Sequence, residues 1–135
     1  MIVMFHVASG AAAGALADSR LRAVAIGPAL HLLGDVLPHE DIASRRFEIA
    51  SGAAGLMLLA RAFGPLDRRT LGALASSLPD LEHGVRLPRP RGRKLFPSHR
   101  WGGGHDHHWV PAWMQLLAAG ALLGGLLGSS RSWTS

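Results

Sequence analysis

The stretch "HLLGDVLPHED", residues 31–41, decides how this chain folds. Leu32, Leu33, Val36 and Leu37 make an apolar helix that Pro38 brings to an end. His31 and Asp35 stand four apart, so they project from one helix face about a turn from each other. An exposed polar stripe is the plain alternative, but this helix has apolar residues on nearly every side. A carboxylate in such surroundings is costly unless it is paired or holds a cation. The segment therefore predicts a buried helix carrying a polar site, and the rest of the chain is read outward from it.

The chain has 135 residues, enough for one domain. Hydrophobic residues make up 48% and charged ones 17%, with Ala, Gly and Leu supplying most of the apolar excess. β-Branched and aromatic residues are scarce and Tyr is absent, which leaves little material for strands. An all-α bundle of about five helices follows. Residues 3–17, "VMFHVASGAAAGALA", form the first helix. The second runs over 21–37, with Gly27-Pro28 expected to kink or restart it. The third spans 47–63 and the fourth 67–78, stopped by Pro79. A basic, Pro-rich loop precedes the last helix, 110–128, which is 19 residues without a charge. Residues 1–128 read as a single helical metal-binding domain with a basic and His-rich loop at 86–109, and 129–135 as a tail. "ALA" before Asp18 has the form of a signal-peptidase site, but no Lys or Arg precedes the apolar run.

Nineteen uncharged residues at about 1.5 Å each nearly match a hydrocarbon core of roughly 30 Å. Segments 3–17 and 47–63 are shorter, and the latter carries Arg61. The bundle is thus expected to be at least partly membrane-embedded, against the alternative of a water-soluble bundle with buried Ala/Leu/Gly helices. The formal charge is +5, concentrated in "RLPRPRGRKLFPSHR" at 86–100. By the positive-inside rule that loop faces the cytoplasm. A run of this kind also suits anionic lipid or nucleic acid, although it lacks interleaved aromatics before Phe96 and Trp101, which speaks against nucleic acid.

Cysteine is absent, so any metal must be held by imidazole and carboxylate. Eight histidines are present. His6 lies inside the first helix. "LPDLEH" at 78–83 offers Asp80, Glu82 and His83 directly after the fourth. It echoes "LHLLGDVLPHED" at 30–41 through a shared L-x-x-L-x-x-x-L-P, so two helix ends, each followed by acids and His, could meet in one polar cluster. His99 and Arg100 follow in "FPSHRW", and His105, His107 and His108 in "GGGHDHHW". His-rich tracts in Gly also bind metal adventitiously, so these last three, with His39 after Pro38, are the weaker candidates. The donor types suit zinc, or manganese and iron where carboxylates dominate, and the lack of thiolates favours an open centre over a closed structural zinc. Phosphate-loop and nucleophile-elbow motifs are missing.

Taken together, the apolar first helix with His6, the H-x-x-x-D helix followed by P-H, "PDLEH" and "PSHR" resemble the membrane-bound metal-dependent hydrolases of bacteria. That family's "THxxxG" corresponds to "FHVASGAAAG", its "PDxDH" to "PDLEH" and its "HRGxTHS" to "HRWGGGH". The helix pattern is also similar to the ligands of zinc-dependent phospholipase C. Here Glu82 replaces the second Asp, and the last element is stretched. The resemblance implies a bacterial inner-membrane protein with a divalent metal on His6, His31, Asp35, Asp80, His83 and His99. It implies Asp35, Glu82 or a spare His as general base, and Arg100 as the group that holds an anionic substrate oxygen. The substrate it suggests is a phosphoester or lipid-like molecule. A non-catalytic membrane metal-binding protein (structural, sensing or transport) is the second expectation, and an anionic-lipid or nucleic-acid binder through 86–100 the third.

Overall fold

A computed structural model describes residues 1–84, 92–100 and 109–131. Five helices of ten residues or more carry the fold: α1 (Val3–Leu16), α2 (Arg20–Val36), α3 (Arg45–Phe63), α4 (Arg68–Ser77) and, after a short turn of helix α5 (Leu81–Gly84), α6 (Ala112–Arg131). No strand occurs among the described residues; an isolated bridge pairs His39 with Val110. The helices start where short polar side chains can cap them. Ser19 accepts from the Arg22 amide at 3.2 Å, Ser44 from Phe47 at 3.4 Å and Asp67 from Arg69 at 2.9 Å. Gly64, with φ of 97°, ends α3 in a conformation that L side chains rarely adopt.

One sequence expectation changes. α2 runs unbroken through Pro28. Pro28 is exposed, and the adjacent Gly27 is buried against Ala75 and Ser76 of α4, so the contact with α4 supports the helix where the proline removes a backbone donor.

α4 sits between α1 and α2, at backbone contact. A Cβ on Gly10 would lie 2.4 Å from the Gly72 carbonyl oxygen, and one on Gly27 would lie 2.6 Å from Ala75 Cβ. The core is accordingly small in volume: Val7, Ala8, Ala11, Leu59, Ala73, Ala119 and Leu123. The large apolar side chains point outward instead, among them Leu21, Ile26, Leu33, Ile49, Met57, Trp113 and Leu117. Polar groups point in: His6, His31, His39, Ser76, Glu82 and Gln115 are buried.

Gln115, the lone polar break in the first turns of the last helix, stitches three segments together. Its Oε1 accepts from Ile2 N at 3.1 Å, and its Nε2 donates to the Glu40 carbonyl at 2.8 Å and the Val110 carbonyl at 3.2 Å. The Glu40 carboxylate in turn accepts from the first amide of α6, Ala112, at 3.2 Å. The start of α1, the end of α2 and the start of α6 therefore lie at one end of the bundle, where the polar cluster sits.

Candidate metal centre

The cluster is built by α1, α2, the α4–α5 junction and the segment that carries His99. α2 presents His31 and Asp35 on one face, as the spacing requires, with His31 Nε2 3.1 Å from Asp35 Oδ2. α1 brings His6, whose Nε2 is 3.3 Å from Asp35 Oδ1 and whose ring stacks on His31 at 4.1 Å. Gly34 leaves the room for that ring, since a Cβ there would lie 2.9 Å from His6 Cε1. Asp80 follows α4 and reaches to 3.9 Å of His31 Nε2. His99 completes the set, its Nε2 3.3 Å from His31 Nε2 and 3.5 Å from Asp35 Oδ2. Two overlapping groups, His6/His31/Asp35 and His31/Asp80/His99, each bring their ligand atoms within 4.8 Å of one another, close enough to hold a metal ion.

The outer contacts fix which atoms face the centre. His31 Nδ1 lies 2.8 Å from the Ser76 carbonyl and must donate to it, leaving the Nε2 lone pair directed inward. His99 Nδ1 donates to Glu82 Oε2 at 3.1 Å, which directs its Nε2 inward as well. The Nε2 atoms of His31 and His99 and the Asp35 and Asp80 carboxylates thus converge, with the Met1 ammonium 3.5 Å from Asp35 Oδ1. Asp80 Oδ2 is buried with no hydrogen-bond partner. Two carboxylates this close are costly unless positive charge compensates them. The donor set suits a divalent cation with nitrogen and oxygen ligands. Because His31 Nδ1 is committed to Ser76, His31 offers one ligand atom and the two groups share it.

The surroundings shift the titrating groups. Burial raises the Asp80 carboxyl to about 6, an effect that nearby His31 only partly offsets. Glu82 is held down to about 2: burial alone would raise it, but the amides of Phe96 and Leu95 and the His99 ring reverse that. His99 is raised, since its bonds with Asp35 and Glu82 outweigh burial. His83 is lowered to about 4 by burial and by the neighbouring His99 and Lys94 cations.

Several residues singled out from the sequence take other positions. His83 meets the His99 ring edge-on at 4.2 Å and lies 3.5 Å from Lys94 Nζ, beside the convergent groups rather than within them. Glu82 lies behind His99, with its oxygens occupied by Leu95 N, Phe96 N and His99. His39 is buried in the turn after α2, its Nδ1 2.6 Å from the Leu37 carbonyl and its Nε2 3.1 Å from Asp41. His105, His107, His108 and the 85–91 part of the basic run fall outside the described residues, and the Arg100 side chain is likewise not described. Sequence reading gave no role to Ser98, whose hydroxyl donates to Asp35 Oδ2 at 2.6 Å, or to the Ser76 carbonyl. Ser98 sits inside the quoted "PSHR", so its position next to His99 was the available signal.

A cavity of about 400 Å³ opens beside the cluster, lined by Asp35, Asp80, His83 and His99 together with Val3, Ile42, Arg45, Ile49 and Lys94. Its size is that of a small-molecule site. Comparison with protein-family models, curated proteins and solved structures gives no match for this chain.

Proposed function

We propose that this chain is a membrane-associated metal-dependent hydrolase, with one divalent cation on His31, Asp35, Asp80 and His99 and with His6 bracing Asp35. The observation that carries the metal is the convergence of His31 Nε2, His99 Nε2 and the Asp35 and Asp80 carboxylates, beside a buried carboxylate oxygen that has no partner. Bound there, a divalent cation, with zinc favoured over manganese or iron by the imidazole content, supplies Lewis acidity toward a phosphoryl or acyl oxygen and activates water as nucleophile. Glu82 has its oxygens filled and Asp35 is engaged with Ser98 and the histidines. Asp80 Oδ2, the carboxylate oxygen without a partner, is therefore the one placed to accept a proton. Arg45 and Lys94 on the cavity wall favour an anionic group such as a phosphate.

Membrane association is supported by the surface. α6 is long and apolar enough to cross a membrane over Ala112–Ser129, by length and composition. Outward-facing Leu, Ile and Met side chains on α2, α3 and α6 exceed what a water-soluble monomer tolerates as patches. Trp109 and Trp113, 79% and 61% exposed, stand at the end of α6 that abuts the cluster. Trp there marks a membrane–water boundary, so the cavity opens at head-group depth and lipids or small anionic esters reach it from there.

Detergent-purified protein loaded with zinc is expected to hydrolyse at least one member of a panel of phosphomonoesters, phosphodiesters and carboxylic esters, and Asp80→Ala to lose that hydrolysis. Stoichiometric zinc with no turnover across the panel would favour the non-catalytic metal-binding reading. Salt-sensitive binding to anionic vesicles or DNA that survives Asp80→Ala would favour the third.

Zinc also competes with protons. It takes the ionised Asp80 and the neutral His99, so protonation near pH 6 at Asp80, and above the ordinary histidine value at His99, opposes binding. Affinity should be highest above both values and fall as pH drops through them, by roughly tenfold or more between pH 7.5 and 5.5 in equilibrium dialysis. A flat profile would contradict these two residues as ligands.

A further inference from the structure

Glu82 is 3% exposed, yet it is an acid facing backbone and a histidine rather than solvent or the cavity. Its carboxylate accepts from the amides of Leu95 and Phe96, the latter at 3.1 Å, and from His99 Nδ1 at 3.1 Å. These three donors belong to one segment, 92–100, whose only helical piece is the turn Ser98–Arg100. The same segment touches the cluster at two further points. Ser98 donates to Asp35 at 2.6 Å, and the Phe96 ring meets His31 edge-on at 5.0 Å.

We propose that Glu82 is a positioning residue that ties cation occupancy to the docking of segment 92–100, and that it acts through His99. This rests on the metal reading above. One side of the coupling is electrostatic. With no cation, the two Nε2 atoms, 3.3 Å apart, are joined by at most one shared proton. With a cation, both nitrogens are attracted to one point and the segment is drawn down onto Glu82. The other side is geometric. Glu82 fixes the His99 tautomer, so without it the ring need not offer Nε2. The segment that closes one wall of the cavity through Lys94, Ser98 and His99 is thereby assembled together with the site.

Glutamine removes the charge and one acceptor while keeping the shape. Phe96 N and His99 Nδ1 both bond Oε2 and Leu95 N bonds Oε1, so the single amide oxygen of Glu82→Gln keeps His99 only by turning its NH₂ against the Leu95 amide, and keeps Leu95 only by turning it against Phe96 and His99. Either orientation gives up part of the bond set that joins the segment and His99 to residue 82.

The test is hydrogen exchange of the full chain in detergent, with and without zinc, alongside zinc content and affinity. In the wild type zinc should slow the Leu95 and Phe96 amides by roughly tenfold or more. In Glu82→Gln zinc affinity should fall by roughly 10–100-fold, the loss seen when an outer partner of a histidine ligand is removed. In His99→Ala zinc should no longer protect these amides. Wild-type protein that holds zinc without protecting Leu95 and Phe96, or Glu82→Gln that binds zinc as tightly as wild type, would overturn the coupling while leaving the metal reading intact. Wild-type protein that takes up no zinc would overturn both.

Discussion

Replacing His31 with alanine is expected to leave the protein unable to retain stoichiometric zinc through purification and dialysis. His31 is fully buried, and its Nε2 lies within 3.9 Å of Asp35, Asp80 and His99 together, so no neighbouring group can take its place. Loss of an outer partner costs a metal site about 10–100-fold, and loss of a ligand at the shared position should exceed that. Asp80→Asn sharpens the result because its two effects differ in sign. In metal-free protein it replaces a buried carboxylate that lacks a partner at one oxygen, so unfolding should become no easier, or harder by about 1 kcal/mol. In zinc at roughly 100 times the wild-type Kd, the wild type gains about 2.7 kcal/mol and the variant gains little. A variant equally stabilised by zinc would remove Asp80 from the centre.

The second large effect is expected at the α1–α4 crossing. Gly10→Ala places a methyl 2.4 Å from the Gly72 carbonyl oxygen and 2.6 Å from Ser76 Cβ. Neither neighbour is the end of a flexible chain, so the helices must separate, and overpacking of that kind costs about 3 kcal/mol. The displacement would reach the metal centre as well, because Ser76 supplies the carbonyl that orients His31 and α1 carries His6. Thermal unfolding in detergent should show a lowered midpoint together with weakened zinc affinity. Gly120→Ala, on α6 with nothing within 4 Å of its added Cβ, is the matched control and should leave both unchanged.

The helices could be read from the sequence because composition and Pro/Gly punctuation act locally. α1 and α3 end near the expected limits, and α4 gives way to a turn at Leu78-Pro79. His31 and Asp35 could be read because i,i+4 spacing on an apolar helix leaves a buried carboxylate little choice of environment. The echo between 30–41 and 71–83 suggested that the two helix ends meet in one polar cluster, and the structure brings Asp35 and Asp80 to the same atom, His31 Nε2, at 3.1 and 3.9 Å. Of the two effects expected at Gly27-Pro28, a restart does not occur, since α2 continues through the proline. The roles of Glu82 and His83 could not be separated by type and spacing alone. Both are potential ligands two and three residues past Asp80; only the placement of segment 92–100 turns Glu82 toward its amides and His83 toward the cavity. Gln115 showed only as an interruption of an apolar run, since its partners at Ile2 and Glu40 are distant in the chain.

That stitching by Gln115 bears on how the protein matures during synthesis. The groups around the cation are drawn from His6 to His99, and the end of the bundle that holds them is fastened by a side chain from α6. A growing chain that has released only α1–α4 has His6, His31, Asp35 and Asp80 but neither His99 nor the fastener. Contacts that join residues 2, 40 and 115 close over a long stretch of chain and form slowly, so this end of the bundle is expected to be fastened only after α6 has been made.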